Sequence, residues 1–167
     1  GTNLTIASSA QVIVTPTTDT IFSNGTGVVV GHTGQATVGG HAPEMQVLGT
    51  GAADTRLLMG RFSADSSPAI IQFVKSRDPA IFDGSFAIVN DNDEVGAITA
   101  YVDDGADLTR GIASIDFVVD DASPAENAVG GSMLFYTSAT DGTVTERLHI
   151  DATGNLLVND AAVLSSR

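Results

Sequence analysis

Residues Gly130 to Val158 read GGSMLFYTSATDGTVTERLHIDATGNLLV, and this stretch decides the fold. Met133, Phe135 and Thr137 alternate with Ser132, Leu134 and Tyr136, the period of two that places successive side chains on opposite faces of a strand. Asp141-Gly142 follows. Glycine lacks the Cβ that would clash at positive φ, so this dipeptide predicts a turn. A second alternating run covers Thr145 to Ile150, with Leu148 and Ile150 on one face and Arg147 and His149 on the other. Asp151-Ala152-Thr153-Gly154-Asn155 turns the chain again, and Leu156 and Val158 open a further strand. These periods predict a β-meander and assign it no activity.

Working outward, the same alternation recurs upstream. Met45, Val47 and Leu48 lead into a Gly49-Thr50-Gly51 turn. Thr55 to Phe62 and Ala69 to Val74 read as strands divided by Ser66-Ser67-Pro68. Phe86 to Val89 and Val95 to Val102 are divided by the polar Asn90 to Asp93 turn, and Ile115, Phe117 and Val119 alternate with Ser114, Asp116 and Val118. No long stretch of period 3.6 occurs. The predicted class is all-β, with short antiparallel strands in a meander or sandwich-like domain over residues 45–167. Residues 1–44 read as an extended β-rich leading region, a shaft or attachment segment. Its apolar runs (Leu4 and Ile6, Val12 to Val14, Ile21-Phe22, Val28 to Val30) are punctuated by glycine. A boundary near His41-Ala42-Pro43 is expected, because proline restricts its predecessor.

The segment FYTSATDGTVTERLHIDATGNLLV resembles one common in bacteriophage tail-fibre and tail-spike proteins. There, a strand ending F-x-T, a variable turn, T-E-R-(M/L)-x-I and D-(S/A)-(T/S)-G-N-(V/L) follow one another. The matching residues here are Phe135 to Thr137, Thr145 to Ile150 and Asp151 to Leu156. Upstream, Asp93 to Ile98 and Asp103-Asp104-Gly105 resemble the D-x-(L/V)-G-x-I strand and D-D-G turn of such fibres. The similarity spans roughly residues 45 to 158. It implies a structural virion protein of a tailed bacteriophage or related particle, located in a tail fibre or other appendage. It also implies an intertwined homotrimer in contact with other virion proteins, and receptor binding through a host cell-surface glycan during host attachment. A capsid decoration or head-fibre protein, and a fragment of a polysaccharide-degrading tail spike, are the alternatives.

Composition fits an assembling protein. Across 167 residues, 43% are hydrophobic but only 5% aromatic, with no tryptophan, while charged residues make up 16%. Apolar surface is therefore expected to be shared between subunits. Seven Lys and Arg oppose twenty Asp and Glu, a formal charge of −13, which repels phosphate and argues against nucleic-acid partners. The chain has no cysteine, and so no disulfide or thiolate metal site. No apolar run approaches the roughly 20 residues that cross a bilayer, so membrane insertion is not expected, and no signal peptide is recognisable. Gly1 in place of methionine implies processing or excision from a longer chain.

The candidate sites all have plainer explanations. Gly25 to Gly31 lacks the Lys-Ser/Thr of a phosphate-binding loop and runs into β-branched residues where a helix would be required. Asp91, Asp93, Glu94, Asp103, Asp104 and Asp107 offer oxygen ligands for calcium but miss the EF-hand spacing, and Asp, Asn and Gly are also turn formers. His32, His41 and His149 lie far apart in sequence, and no G-x-S-x-G or H-E-x-x-H motif occurs. The sequence thus predicts no catalytic, cofactor-binding or metal-binding residue, and no enzyme. Among the scarce cations Lys75, Arg77, Arg110 and Arg147, a structural role is expected over the grip of an anionic sugar, with Arg147 beside Glu146, or Arg77 beside Asp78, locking a turn or a subunit contact.

Overall fold

A computed structural model of the chain describes residues 28–32, 34–81 and 83–158. The strands expected before Val28 lie outside these residues. All regular structure is β. Strand β1 (Val28–Val30) pairs in parallel with β2 (Met45–Val47). Five antiparallel strands then follow in chain order: β3 (Glu94–Val102), β4 (Arg110–Val119), β5 (Gly131–Ser138), β6 (Val144–Ile150) and β7 (Leu156–Val158). This is the meander that the alternating residues predict. The β1–β2 pairing links residues on both sides of the boundary expected at residue 44.

The turns form where side-chain chemistry favours them. Gly142 has φ +87° and Gly154 φ +86°, the left-handed region that glycine enters without a Cβ clash. Asp151 holds its own turn together. Its carboxylate accepts the backbone N–H of Thr153 at 2.9 Å and of Asn155 at 2.8 Å, the Thr153 hydroxyl at 2.8 Å and the Asn155 amide at 2.8 Å. Asn92 adopts φ +63° in the turn before β3, a conformation that asparagine tolerates better than most residues. Its N–H reaches the Val119 carbonyl at 2.9 Å, and the Val119 N–H reaches the Asp93 carbonyl at 2.9 Å. The turn thereby prolongs the β3–β4 ladder.

Two expectations need correction. Thr55–Phe62, Ala69–Val74 and Phe86–Val89 alternate like strands, yet none joins a ladder among the described residues. No backbone hydrogen bond joins any of residues 55–76 to another described backbone. Alternation marks a segment suited to a sheet, but a strand exists only where a neighbour supplies donors and acceptors. The alternation of β6 is also interrupted. Phe135 faces Leu148 while Tyr136 faces Glu146, so Arg147 is the extra residue of a bulge. Glu146 and His149 consequently share a face.

The chain builds little core of its own. Val119, 3% exposed, is the buried hydrophobic residue among those described, whereas Leu58 is 87% and Phe62 97% exposed.

Candidate functional site

The register of β3 to β6 separates two faces. On one, Ile115 lies opposite Ile98 and Phe135, Phe117 opposite Gly96 and Met133, and Phe135 opposite Leu148. A groove of about 380 Å³ runs along this apolar face, lined by Ile98, Ala100, Ala113, Ile115 and Phe135 among others. Ile98 also belongs to an adjoining hollow of about 580 Å³ formed with Ile71, Phe73, Val95 and Phe117. Phe73 roofs that end: its ring centroid lies 5.9 Å from that of Phe117, at an interplanar angle of 29°. Gly96 makes room for the ring, since a Cβ there would collide with the Phe73 side chain.

The opposite face mixes polar and apolar residues. Asp116, Leu134, His149 and Leu157 stand in one rung across β4 to β7. Asp116 Oδ1 and His149 Nε2 are buried there without a hydrogen-bond partner, while His149 Nδ1 stands 3.8 Å from Glu146 Oε1. Burial, followed by the charges of Glu146, Asp116 and Glu94, raises the pKa of the Tyr136 hydroxyl. Charge on this face is therefore acidic, and a cation placed against it would be attracted.

The acidic turns are occupied with backbone work. Asp93 receives the Arg77 guanidinium as a fork, Nε and Nη2 each donating at 2.7 Å, and also accepts the Asn90 N–H at 2.9 Å. Arg77 first, then the Asn90 N–H, holds the Asp93 carboxyl down at about 2. Asp91 accepts the Asp121 N–H at 2.9 Å. Asp103 Oδ1 accepts the N–H of Gly105 at 2.8 Å, Asp104 Oδ1 that of Ala106 at 3.0 Å and Asp107 Oδ1 that of Thr109 at 2.8 Å. The turn before β3 and the loop after it stand at opposite ends of a nine-residue strand, roughly 27 Å apart. The six candidate carboxylates therefore cannot converge on one ion.

The scarce cations take structural partners. Arg77 pairs with Asp93 rather than Asp78. Arg147 donates through Nε to Thr137 Oγ1 at 3.0 Å, and Arg110 donates to the Gly142 carbonyl, tying β4 to the β5–β6 turn. Lys75 donates to the Ser76 carbonyl at 3.3 Å. His32 bonds locally with Gly34, and the His41 backbone bridges to Val38. Of the glycine-rich stretch, residues 25–27 lie outside the described set, and Val28–Val30 is a strand where a phosphate loop would need a helix.

What sequence reasoning missed is the arm between residues 55 and 76. Leu57 and Met59 on one leg face Ala69, Ile70 and Ile71 on the other. The tip is organised by Asp65, which pairs with Arg61 and accepts the Ser63 hydroxyl at 2.7 Å and the Ser67 N–H at 2.9 Å. The alternating Leu57, Met59, Ile70 and Val74 marked residues fit for a sheet, and nothing in that pattern signalled that no ladder forms among the described residues.

No protein-family model matches the chain, and no curated protein matches it by sequence. Solved structures do match. The carboxy-terminal domain of the bacteriophage T5 L-shaped tail fibre aligns with a TM-score of 0.55 over 71% of this chain, at 16% identity. A structure of that domain with its intra-molecular chaperone domain gives the same TM-score, coverage and identity. The chain spans 42% and 29% of the lengths of those two proteins. The likeness is one of fold: the chain resembles that tail-fibre domain over 71% of its length.

Proposed function

We propose that this chain is a structural, non-enzymatic part of a bacteriophage tail fibre, forming a homotrimer that joins other virion proteins and presents loops to a glycan on the host cell. The observation that carries the proposal is the coincidence of a tail-fibre-like fold with large apolar side chains, Leu58, Phe62 and Ile98 among them, that the chain leaves exposed. Each of the largest exposed side chains would stabilise an assembly by about 1.5–3 kcal/mol if fully buried. Weak single-site binding of a glycan gains avidity when three copies act together. The acidic exterior favours neutral or cationic ligands over anionic ones.

The non-enzymatic reading rests on how the carboxylates are used. Asp93, Asp107, Asp121 and Asp151 are each engaged by neighbouring N–H or O–H groups, and their pKa values are lowered by those bonds. A glycoside hydrolase instead needs one carboxyl raised to act as an acid, across a cleft from a second. Incubating the purified chain with host polysaccharide checks this: unchanged polymer length is expected, and depolymerisation abolished by a single carboxylate substitution would contradict it.

Immuno-electron microscopy of the source particle tests the location, with antibody raised against the purified chain. Label on a tail appendage is expected. Label on the capsid would instead indicate a head fibre or decoration protein, and absence of label from the particle would overturn the proposal.

A further inference from the structure

The arm from Arg56 to Val74 carries Leu58 and Phe62 almost entirely in solvent, and its backbone donors and acceptors are unmatched by any described backbone. Polar backbone groups beside apolar side chains reach a stable state when a sheet edge or face covers both. A receptor of that shape exists on the same protein. Among the described residues the outer edge of β3 is unpaired, both faces of Ala97–Tyr101 are exposed, and the apolar groove along Ile98, Ile115 and Phe135 is open.

Charge identifies the occupant. Within the arm, Arg56 and Arg61 oppose a single acid, Asp65, and Lys75 and Arg77 follow at its base, where Arg77 pairs with Asp93. The sheet from Glu94 to Val158 carries eleven acids against Arg110 and Arg147. An apolar, net-cationic arm thus complements an apolar, strongly anionic sheet of the same sequence. The chain's own sheet receives only the base of the arm, through Phe73 on Phe117, and leaves Leu58 and Phe62 uncovered. We propose that the arm of one copy docks along the β3 edge and apolar groove of a second copy, so that each subunit's sheet is completed by its neighbour. The proposal rests on the homotrimer reading and specifies the contact that builds it.

The absence of cysteine makes the test clean. One tagged copy carries Leu58→Cys and a differently tagged, full-length copy carries Ile98→Cys. The two are coexpressed and treated with a short bismaleimide. Both sites are exposed in the single chain, Leu58 by 87% and Ile98 by 55%, so the two changes remove little packing within a subunit. The expected result is a covalent heterodimer as the dominant linked species on a denaturing gel. Homodimers alone, or no link, in a sample that light scattering shows to be oligomeric would overturn arm docking while leaving the trimer standing. A monomeric sample would overturn both, and would indicate that the arm faces a different protein.

Discussion

The Phe73 ring lies against Phe117, centroids 5.9 Å apart, and this stack anchors the base of the arm to the sheet. Offset aromatic pairs contribute about 0.5–1.5 kcal/mol beyond the area they bury. Phe73 reaches that position because residue 96 has no side chain. One glycine, one ring on the arm and one ring on β4 thus decide where the unladdered segment leaves the folded meander.

Gly96→Ala is expected to destabilise the protein by about 1–3 kcal/mol, the cost of overpacking. The new methyl meets Phe73 close to its Cβ and Cγ, where rotation about the outer bonds gives no relief. Chemical denaturation of wild type and variant measures the difference. If the collision is the cause, Gly96→Ala combined with Phe73→Ala should cost less than the sum of the two single changes.

Acid should loosen the turn before β3. The Asp93 carboxyl is held at about 2, against an ordinary 3.8, first by Arg77 and then by the Asn90 N–H. A group whose pKa is depressed by folding stabilises the fold above its unfolded value, and that contribution is lost as pH falls through the folded one. Wild type should therefore melt above Asp93→Asn at pH 5 to 7, with the gap closing between about pH 4 and pH 2. A gap that stays constant down to pH 2 would contradict the assignment.

At the β6–β7 turn, Gly154 combines φ +86° with open space around its missing side chain. Gly154→Ala then isolates backbone strain from crowding and should cost about 1–2 kcal/mol. Gly31→Ala should cost more, because it adds a collision with the Leu48 carbonyl to a φ of +87°. Thermal denaturation of the two variants in parallel gives the comparison.

How much of this was legible in the sequence follows from how local each interaction is. The meander from β3 to β7 was readable because alternation at Met133 to Thr137 and the Asp141-Gly142 and Asp151 to Asn155 turns involve neighbours in sequence. The bulge at Arg147 was not, since it depends on how β6 matches β5. A turn-locking role for Arg77 was legible, but not that its partner is Asp93, brought near by the turn that Asp93 itself caps. Thr55 to Phe62 and Ala69 to Val74 had the pattern of strands but no ladder. Their side chains record suitability for a sheet, and pattern alone does not reveal whether the completing strand belongs to the same chain.

The size of the purified full-length protein in solution tests the central claim most directly. Multi-angle light scattering at micromolar concentration should give three times the 17.0 kDa chain mass, and Leu58→Asp with Phe62→Asp should lower it, since burying unpaired charge at an interface is costly. A wild-type particle that remains at 17.0 kDa would contradict the account.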